Sequence, residues 1–418
     1  MKRFLSLLLA LFTLLAFAGC AAPGLSISKA DVRQLSAAPI YLTDQDRSQD
    51  NSAVYGAIGS FGVDLLRQLR DQEGGQVLIS PLSAVLALSM AANGAQSDTL
   101  SQFETLFGGD LNAVNRACGS LIETYQQLGG STQCHIANSV WTDPEGQIKD
   151  EFVGKCQGIF DAQVFQADLS DKGIVKAVNG WVSDNTKKLI PSIIDKPFEK
   201  DSAALLINAL YLKNTWLSKF DPNSTGKRPF THADGKSQKI YFLNDGYADF
   251  DYIKGDGVQG VVLPYDDGRL GFAALLPDGD LDSWLSGLTE EQLAALVTGA
   301  ESAYFLGLGL PKFEQEWNGQ LGDALKAMGL DRAFDARLAD FSALGDDPNG
   351  YFISQVIQAT KIAVNEEGTE AAAATIVDMN CGAGMPPEDG VRLVFDRPFL
   401  YGIVDLQTGL PLFLGTFE

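Results

Sequence analysis

The chain has 418 residues, enough for one large core or two ordinary domains. Hydrophobic residues make up 45% of it and charged residues 20%, which is typical of a soluble globular protein. The formal net charge of −22 argues against nucleic acid, heparin-like polyanions and anionic membrane surfaces as main partners. Solubility is a sufficient explanation for this acidity.

The N-terminal residues 1–19 predict a signal peptide. Met1-Lys2-Arg3 precedes an apolar run that is too short and wrongly flanked for a membrane-spanning helix. The small residues before Cys20 resemble a bacterial lipoprotein cleavage site, although Phe17 departs from the usual aliphatic residue. We therefore expect an extracellular protein, either lipid-anchored through Cys20 to the outer face of the bacterial cell membrane or simply secreted.

Residues 20–52 predict the lipid-anchor cysteine and a flexible linker, because they are polar and lack sustained periodicity. The folded domain is expected to run from residue 53 to 418. Its first helix is indicated by Tyr55, Ile58 and Phe61, which recur at helical spacing. Apart from the lipid anchor, no membrane contact is expected.

The first third of the domain contains a strongly marked helix start. Pro81 suits a first helical turn, and Ser80 is placed to cap a helix that runs to Ala92. Ser83 follows in the first turn. Plain capping is a sufficient local role for both serines.

Two long strands are predicted in the middle of the chain. Residues 136–141 and 203–216 are apolar runs that favour buried strands. Asn208 would lie inside the core on the second strand and must find hydrogen-bond partners there. Trp216, at its end, is expected to anchor the core.

Cysteine and histidine are too sparse and too scattered for a metal site. His135 and His232 are far apart in sequence, and the cysteine spacing matches no metal-binding pattern. Cys118 and Cys134 could form a disulfide, but free thiols are the expectation. No cofactor is expected. The cysteines are Cys20, Cys118, Cys134, Cys156 and Cys381.

An alanine-rich segment near the C-terminus allows two structures. Local propensity favours a short surface helix capped by Thr369. As a strand, it would instead place small residues on one face and both its acids on the other, with Gly368 as a flexible pivot. The small face is Thr369, Ala371, Ala373, Thr375 and Val377. The Gly and Pro residues that follow, to about Glu388, indicate exposed chain.

This segment resembles the hinge of an inhibitory serpin, and the signal is specific. The hinge residues are Glu366, Glu367, Gly368, Thr369, Glu370, Ala371, Ala372, Ala373, Ala374 and Thr375. Other motifs similar to the family occur in the family's order, among them residues 77–83, 207–212, 263–265, 310–314, 395–400 and 412–415. The resemblance covers about residue 53 to residue 418.

The resemblance implies the serpin fold, which is of the α+β class. We expect a large, mostly antiparallel central sheet, two smaller sheets, eight or nine helices and an exposed reactive-centre loop at about 366–388. It further implies that residues 179–190 form a helix across the face of the central sheet. Ser80, Ser83 and Asn208 would form one hydrogen-bonded cluster beneath that sheet, and Trp216 would lie at its top. Gln358 stands where many members carry histidine. Glutamine can still satisfy the cluster, but it removes a pH-sensitive group.

The implied function is that of a metastable, monomeric suicide inhibitor of extracellular serine proteases. Counting from Glu366 places the reactive bond between Gly382 and Ala383, with Cys381, Met379 and Met385 as alternatives because the loop is longer than is common. No basic residue lies between Asp378 and Glu388, which argues against trypsin-like targets. Small residues there favour elastase-like or subtilisin-like proteases.

Three other functions stay open. The chain could be a serpin-fold binding protein that does not inhibit. Proline or bulky residues between Thr369 and Ala374 would favour that function, and none is present. Cys381 would suit an inhibitor of cysteine proteases. The weakest alternative is an enzyme that uses Cys156 or Cys381 with His135.

Overall fold

The computed structural model describes residues 31–199, 204–347, 350–369 and 390–418. Several predicted features lie outside the described residues: the signal peptide, Cys20, Glu370, Ala371, Ala372, Ala373, Ala374, Thr375, Met379, Cys381, Gly382, Ala383 and Met385. No helix in the described part is both long and apolar enough to cross a membrane.

The described residues form ten α-helices, and the longest is the first helix of the predicted domain. They are α1 (Asp44–Arg47), α2 (Ser52–Glu73), α3 (Pro81–Ala92), α4 (Ser97–Leu106), α5 (Leu111–Gln126), α6 (Asp150–Phe160), α7 (Gly173–Asn185), α8 (Leu281–Gly287), α9 (Glu290–Thr298) and α10 (Gly322–Ala327).

Nineteen strands accompany them in the same described ranges. They are β1 (Arg33–Leu35), β2 (Leu78–Ile79), β3 (Gln133–Thr142), β4 (Gln147–Ile148), β5 (Ala162–Gln166), β6 (Ala204–Thr215), β7 (Gly226–Thr231), β8 (Ser237–Asp245), β9 (Ala248–Gly255), β10 (Val258–Pro264), β11 (Leu270–Pro277), β12 (Glu301–Pro311), β13 (Phe313–Gln320), β14 (Gly345–Asp346), β15 (Ile353–Val364), β16 (Gly368–Thr369), β17 (Val391–Val394), β18 (Phe399–Asp405) and β19 (Pro411–Phe417).

A central sheet of seven strands organises the molecule, in the order β1-β5-β3-β6-β16-β15-β13. Its pairings are antiparallel except β3 with β5 and β6 with β15. A second sheet of ten strands runs β2-β19-β18-β11-β10-β9-β12-β8-β7, with β17 attached to β12. A two-stranded sheet joins β14 to β4. The predicted α+β class with a large, mostly antiparallel central sheet is confirmed.

Alternate residues of β6 face two different cores, as the two-residue period of a strand requires. Leu206, Leu210 and Leu212 face the large core that the sheets share with the helices beneath them. Leu205 and Ile207 face a smaller core formed with α7. The parity of a residue on β6 therefore decides on which side of the sheet it lies.

Helix α3 lies in the large core, and all of its residues are buried. Pro81 occupies its first turn, and the Ser80 hydroxyl accepts a hydrogen bond from the Ser83 amide at 3.2 Å. The predicted cap is confirmed. The helix predicted over 179–190 instead spans Gly173–Asn185, and it stops where Lys187 and Lys188 adopt left-handed backbone angles.

The prediction of a flexible linker is wrong for the residues between β1 and α2. Strand β1 forms the edge of the central sheet beside β5, and the Ile40 amide donates to the Gly154 carbonyl of α6 at 2.9 Å. Gly158 lets this segment lie directly on α6, since a Cβ there would come within 2.1 Å of the Ile40 carbonyl oxygen. Arg47 of α1 binds Glu123 at 2.6 Å. The segment is thus an ordered part of the domain.

Candidate functional site

The central sheet contains a seam at which two strands part. In the part of the chain that the structure describes, strands β6 and β15 pair directly from Ile353 with Ala204 to Ile357 with Ile207. Farther along, β16 lies between them and is hydrogen-bonded to both: Thr369 pairs with Asn214 of β6 and with Val364 of β15. The hinge has therefore placed the first residues of a new strand inside the sheet.

Thr369 is the innermost described residue of this new strand. It is 1% exposed, and its hydroxyl shares a hydrogen bond with the hydroxyl of Tyr265, which is fully buried. Its pairing partners, Asn214 and Val364, belong to the side of the sheet that faces the large core. Thr369 therefore faces inward, as the strand interpretation of the alanine-rich segment requires.

Glycine is the residue type that fits at position 368, the pivot of the hinge. Its φ of +155° is a conformation that side-chain-bearing residues rarely adopt. A Cβ at this position would come within 2.1 Å of the Asn214 carbonyl oxygen. The close approach of the hinge to β6 thus depends on the missing side chain.

Two glutamates fix the hinge just before the pivot. The Glu366 carboxylate accepts hydrogen bonds from Lys312 at 2.7 Å and from Thr225 at 2.8 Å. Partial burial alone would raise the pKa of Glu366, but the bonds from Lys312 and Thr225 outweigh it and hold this pKa below its ordinary value. Glu367 forms an ion pair with Lys219 at 2.6 Å.

Trp216 lies directly beneath this hinge. Its indole Nε1 donates to the Asn365 carbonyl at 2.8 Å, and its backbone amide donates to the Glu367 carbonyl at 2.9 Å. Its ring stacks on Tyr265, with centroids 4.9 Å apart and planes 5° from parallel. The structure therefore places Trp216 at the end of the sheet where the new strand begins.

Gln358 and Ser80 meet below the point where β6 and β15 part. The Ser80 amide donates to the Gln358 side-chain oxygen at 2.9 Å, and the Gln358 amide group donates to the Ser80 carbonyl at 2.8 Å. The Ser80 hydroxyl donates to the Leu412 carbonyl at 2.7 Å. Because Gln358 directly follows the last residue of β15 that pairs with β6, these bonds hold β15 to the start of α3 at the point where the two strands part.

Asn208 does not join this cluster, so the expected single network is wrong. Its amide group donates to the Asn138 side chain on β3, and Asn138 in turn donates to the Phe160 carbonyl at 2.7 Å. The Asn208 side-chain oxygen is buried and has no hydrogen-bond partner among the described residues. Asn208 therefore ties β6 to β3, whereas Gln358 ties β15 to α3.

The described thiols are not suited to nucleophilic catalysis. Cys118, Cys134 and Cys156 are free and buried. Burial raises the pKa of Cys118 and of Cys134 to about 12 each, and it raises the pKa of Cys156 as well. An enzyme that uses Cys156 as its thiolate nucleophile is therefore not supported.

Sequence reasoning missed the partners that hold the hinge. Lys312 and Tyr265 lie in segments that resemble the family, but nothing in those segments shows that they contact residues 366 and 369. Thr225, Lys219 and Asn138 carried no signal at all. All of these contacts join residues that are far apart along the chain.

Comparison with known proteins identifies the family. A sequence model described as Serpin (serine protease inhibitor) matches residues 56–418. The chain belongs to the serpin family. Its family and its fold support a serine protease inhibitor that acts on a target protease.

Two curated relatives of this serpin cover nearly its whole length. It is 30% identical to the leukocyte elastase inhibitor of Homo sapiens over 373 residues, which is 86% of this chain and 97% of that protein. It is 28% identical to Iripin-8 of Ixodes ricinus over 399 residues, which is 90% of this chain and 95% of that protein.

Among solved structures, it resembles the thermophilic serpin tengpin in two states. The match to the native state has a TM-score of 0.82 at 30% identity and covers 91% of this chain and 97% of that one. The match to the latent state has a TM-score of 0.75 at 28% identity and covers 90% and 99%. The described part of this serpin is thus more similar to the native form.

Proposed function

We propose that this serpin is a suicide inhibitor of extracellular serine proteases that acts by loop cleavage, acyl-enzyme trapping and strand insertion. Serpin loops insert into their own central sheet after cleavage, as a form of strand addition that releases stored strain. One observation carries the proposal: Gly368 and Thr369 already lie between β6 and β15, bonded to both.

The register of these first residues shows where the remaining strand would run. Strand β16 is antiparallel to both β6 and β15. Each hinge residue after Thr369 would therefore pair with a residue one position earlier on β6 and one position earlier on β15. Continued in this way, Thr375 would come level with Asn208 and Gln358. These are the first residues beyond the stretch in which β6 and β15 pair directly. Insertion past Thr375 would have to separate that pairing.

The energy available for this insertion is large. A net hydrogen bond contributes ~0.5–1.5 kcal/mol, and an inserted strand gains such bonds on both edges. A dozen of them would contribute on the order of 10 kcal/mol, comparable to the ~5–15 kcal/mol that stabilises a typical domain. The intact form would then be a kinetic trap, and insertion could drag and deform an attached protease.

For targets, we propose elastase-like or subtilisin-like proteases. The small residues Gly382 and Ala383 would flank the cleaved bond, with Cys381, Met379 and Met385 as the alternative positions before the cut. The similarity to a protein named leukocyte elastase inhibitor supports this choice. We propose that the protein acts as a monomer at the outer face of the cell membrane, lipid-anchored through Cys20, or after secretion.

A small protease panel tests the proposal. Elastase, subtilisin, trypsin and a papain-like cysteine protease would each be mixed with the purified protein, and adducts that survive detergent would be counted on gels. We expect such adducts with elastase or subtilisin, and mass spectrometry of the released C-terminal fragment should give Gly382 as the residue before the cut. A loop that is cut while the protease stays fully active would instead indicate a non-inhibitory serpin.

A further inference from the structure

The turn between β10 and β11 reaches across the end of the central sheet. One carboxylate oxygen of Asp267 accepts hydrogen bonds from the Thr132 hydroxyl at 2.8 Å and from the Asn214 amide group at 2.5 Å. The other accepts from the backbone amides of Arg269 and Leu270, both at 2.7 Å. Thr132 directly precedes β3, and Asn214 lies near the end of β6. Asp267 therefore links these two strands.

Asp266, in the same turn, repeats this link through the backbone. Its carboxylate accepts from the Ser131 amide at 3.0 and 3.1 Å, and its own amide donates to the Thr215 carbonyl at 3.0 Å. Among the described residues, neither aspartate has a hydrogen bond or ion pair with β15. The turn thus holds the ends of β3 and β6 and leaves the other side of the seam free.

The residue that Asp267 holds is also the one that receives the hinge. Asn214 is fully buried and is the pairing partner of Thr369 on β6. Its side-chain oxygen accepts from the Thr215 amide at 3.0 Å and lies 2.9 Å from the Thr132 hydroxyl, which shares its one proton between this oxygen and Asp267. Tyr265, at the start of the same turn, bonds the Thr369 hydroxyl. One turn therefore fixes both groups that Thr369 contacts on this side.

We propose that Asp267 is a positioning residue for loop insertion. It keeps β3 and β6 together at the end where the hinge inserts, so that the new strand separates β6 from β15 and meets Asn214 already in place. Without this link, the sheet could also open between β3 and β6, and insertion of the new strand between β6 and β15 would be slower. This inference rests on the proposed inhibitory function.

The test uses Asp267→Asn and a swap, Asn214→Asp with Asp267→Asn. The single change puts an amide group opposite the Asn214 amide group, so two donors face each other. The swap restores a carboxylate–amide pair and leaves an acceptor for the backbone amides of residues 215, 269 and 270. The measured quantity is the number of inhibitor molecules consumed per protease trapped, together with the rate of loop cleavage.

We expect Asp267→Asn to raise the number consumed roughly tenfold, the ratio that loss of one hydrogen bond to a charged group produces. Loop cleavage should keep its wild-type rate, and the swap should return the number to within about twofold of wild type. Asp280→Asn is the matched control. Asp280 also accepts a backbone hydrogen bond, but at the start of α8. It should lower the melting temperature without changing the number consumed.

Thr132→Val provides a second test of the inference if Asp267→Asn does not fold. It removes only the arm to β3 and should raise the number consumed by a smaller factor. Wild-type numbers in Asp267→Asn or in Thr132→Val, or a swap no better than the single change, would overturn the inference. A wild-type protein that traps no protease would overturn the proposed function itself, so the two failures are distinguishable.

Discussion

Strand β6 has two neighbours that it holds very differently. Towards β3 it forms an antiparallel ladder along their full shared length, from Gln133 with Lys213 to Thr142 with Ala204. Towards β15 it forms a short parallel ladder that ends at Ile357 with Ile207. Antiparallel pairing is also somewhat more stable per residue than parallel pairing.

Side chains increase the difference between these two seams. Asn208 and Asp267 both join β6 to the β3 side, through Asn138 and Thr132. On the other side, Gln358 bonds to Ser80 of the helix beneath and not to β6. The seam between β6 and β15 is therefore the less strongly bonded of the two, and the hinge lies in that seam.

The largest expected effect comes from cutting the loop. Cleavage by subtilisin or elastase should let the loop fill the weak seam and raise the melting temperature by on the order of 20 °C or more, given the hydrogen bonds gained. Calorimetry of intact and cleaved protein measures this rise. An unchanged melting temperature after cleavage would mean that the seam does not take up a strand.

Blocking the weak seam should have the next largest effect. Thr369→Arg would bury an unpaired charge beside Tyr265, at a cost of about 3–5 kcal/mol. We expect the loop to be cut at the wild-type rate while detergent-resistant adducts disappear, so that the inhibitor becomes a substrate. Thr231→Arg, at an exposed position of β7, is the control and should still trap protease. Normal trapping by Thr369→Arg would contradict the inward orientation of this face.

A matched pair of variants compares the two seams directly. Asn138→Ala leaves the buried Asn208 amide without its acceptor, and Gln358→Ala leaves Ser80 without its side-chain partners, so each should cost about 1–3 kcal/mol in urea unfolding. Only Gln358→Ala should speed spontaneous conversion to a more heat-stable form, because it releases the strand that must move. Equal acceleration in Asn138→Ala would mean that the seams are not distinct.

The smallest effect concerns pH at the hinge. The pKa of Glu366 is lowered in the folded protein, so its contribution to stability is fully present above the ordinary glutamate pKa of about 4.3 and is lost as the pH falls through the lowered value. Glu366→Gln should therefore be less stable than wild type by about 1 kcal/mol at pH 7, and this difference should shrink steadily as the pH falls through the lowered pKa. Urea titrations at a series of acidic pH values measure it. A difference that does not shrink with falling pH would show that the carboxylate charge is not responsible.

Much of the site could be predicted from local residue patterns. The inward orientation of Thr369 follows from the two-residue period of a strand. The need for glycine at residue 368 follows from the backbone freedom that the pivot of the hinge requires. The helix cap at Ser80 depends only on its neighbours in sequence. Such features involve residues that are close along the chain, so the sequence alone suffices for them.

Long-range partners could not be predicted in this way. Asn208 was expected beside Ser80 and instead bonds Asn138, because a buried amide can be satisfied from either neighbouring strand and the sequence does not state which. Residues 33–47 look like a linker because they are polar and aperiodic. They are ordered by contacts with glycines and a glutamate on distant helices. By itself, the sequence determined the family, the inward face of the hinge and its glycine pivot. Only the tertiary structure decided which seam of the sheet is weak, because that depends on hydrogen bonds between segments brought together by folding.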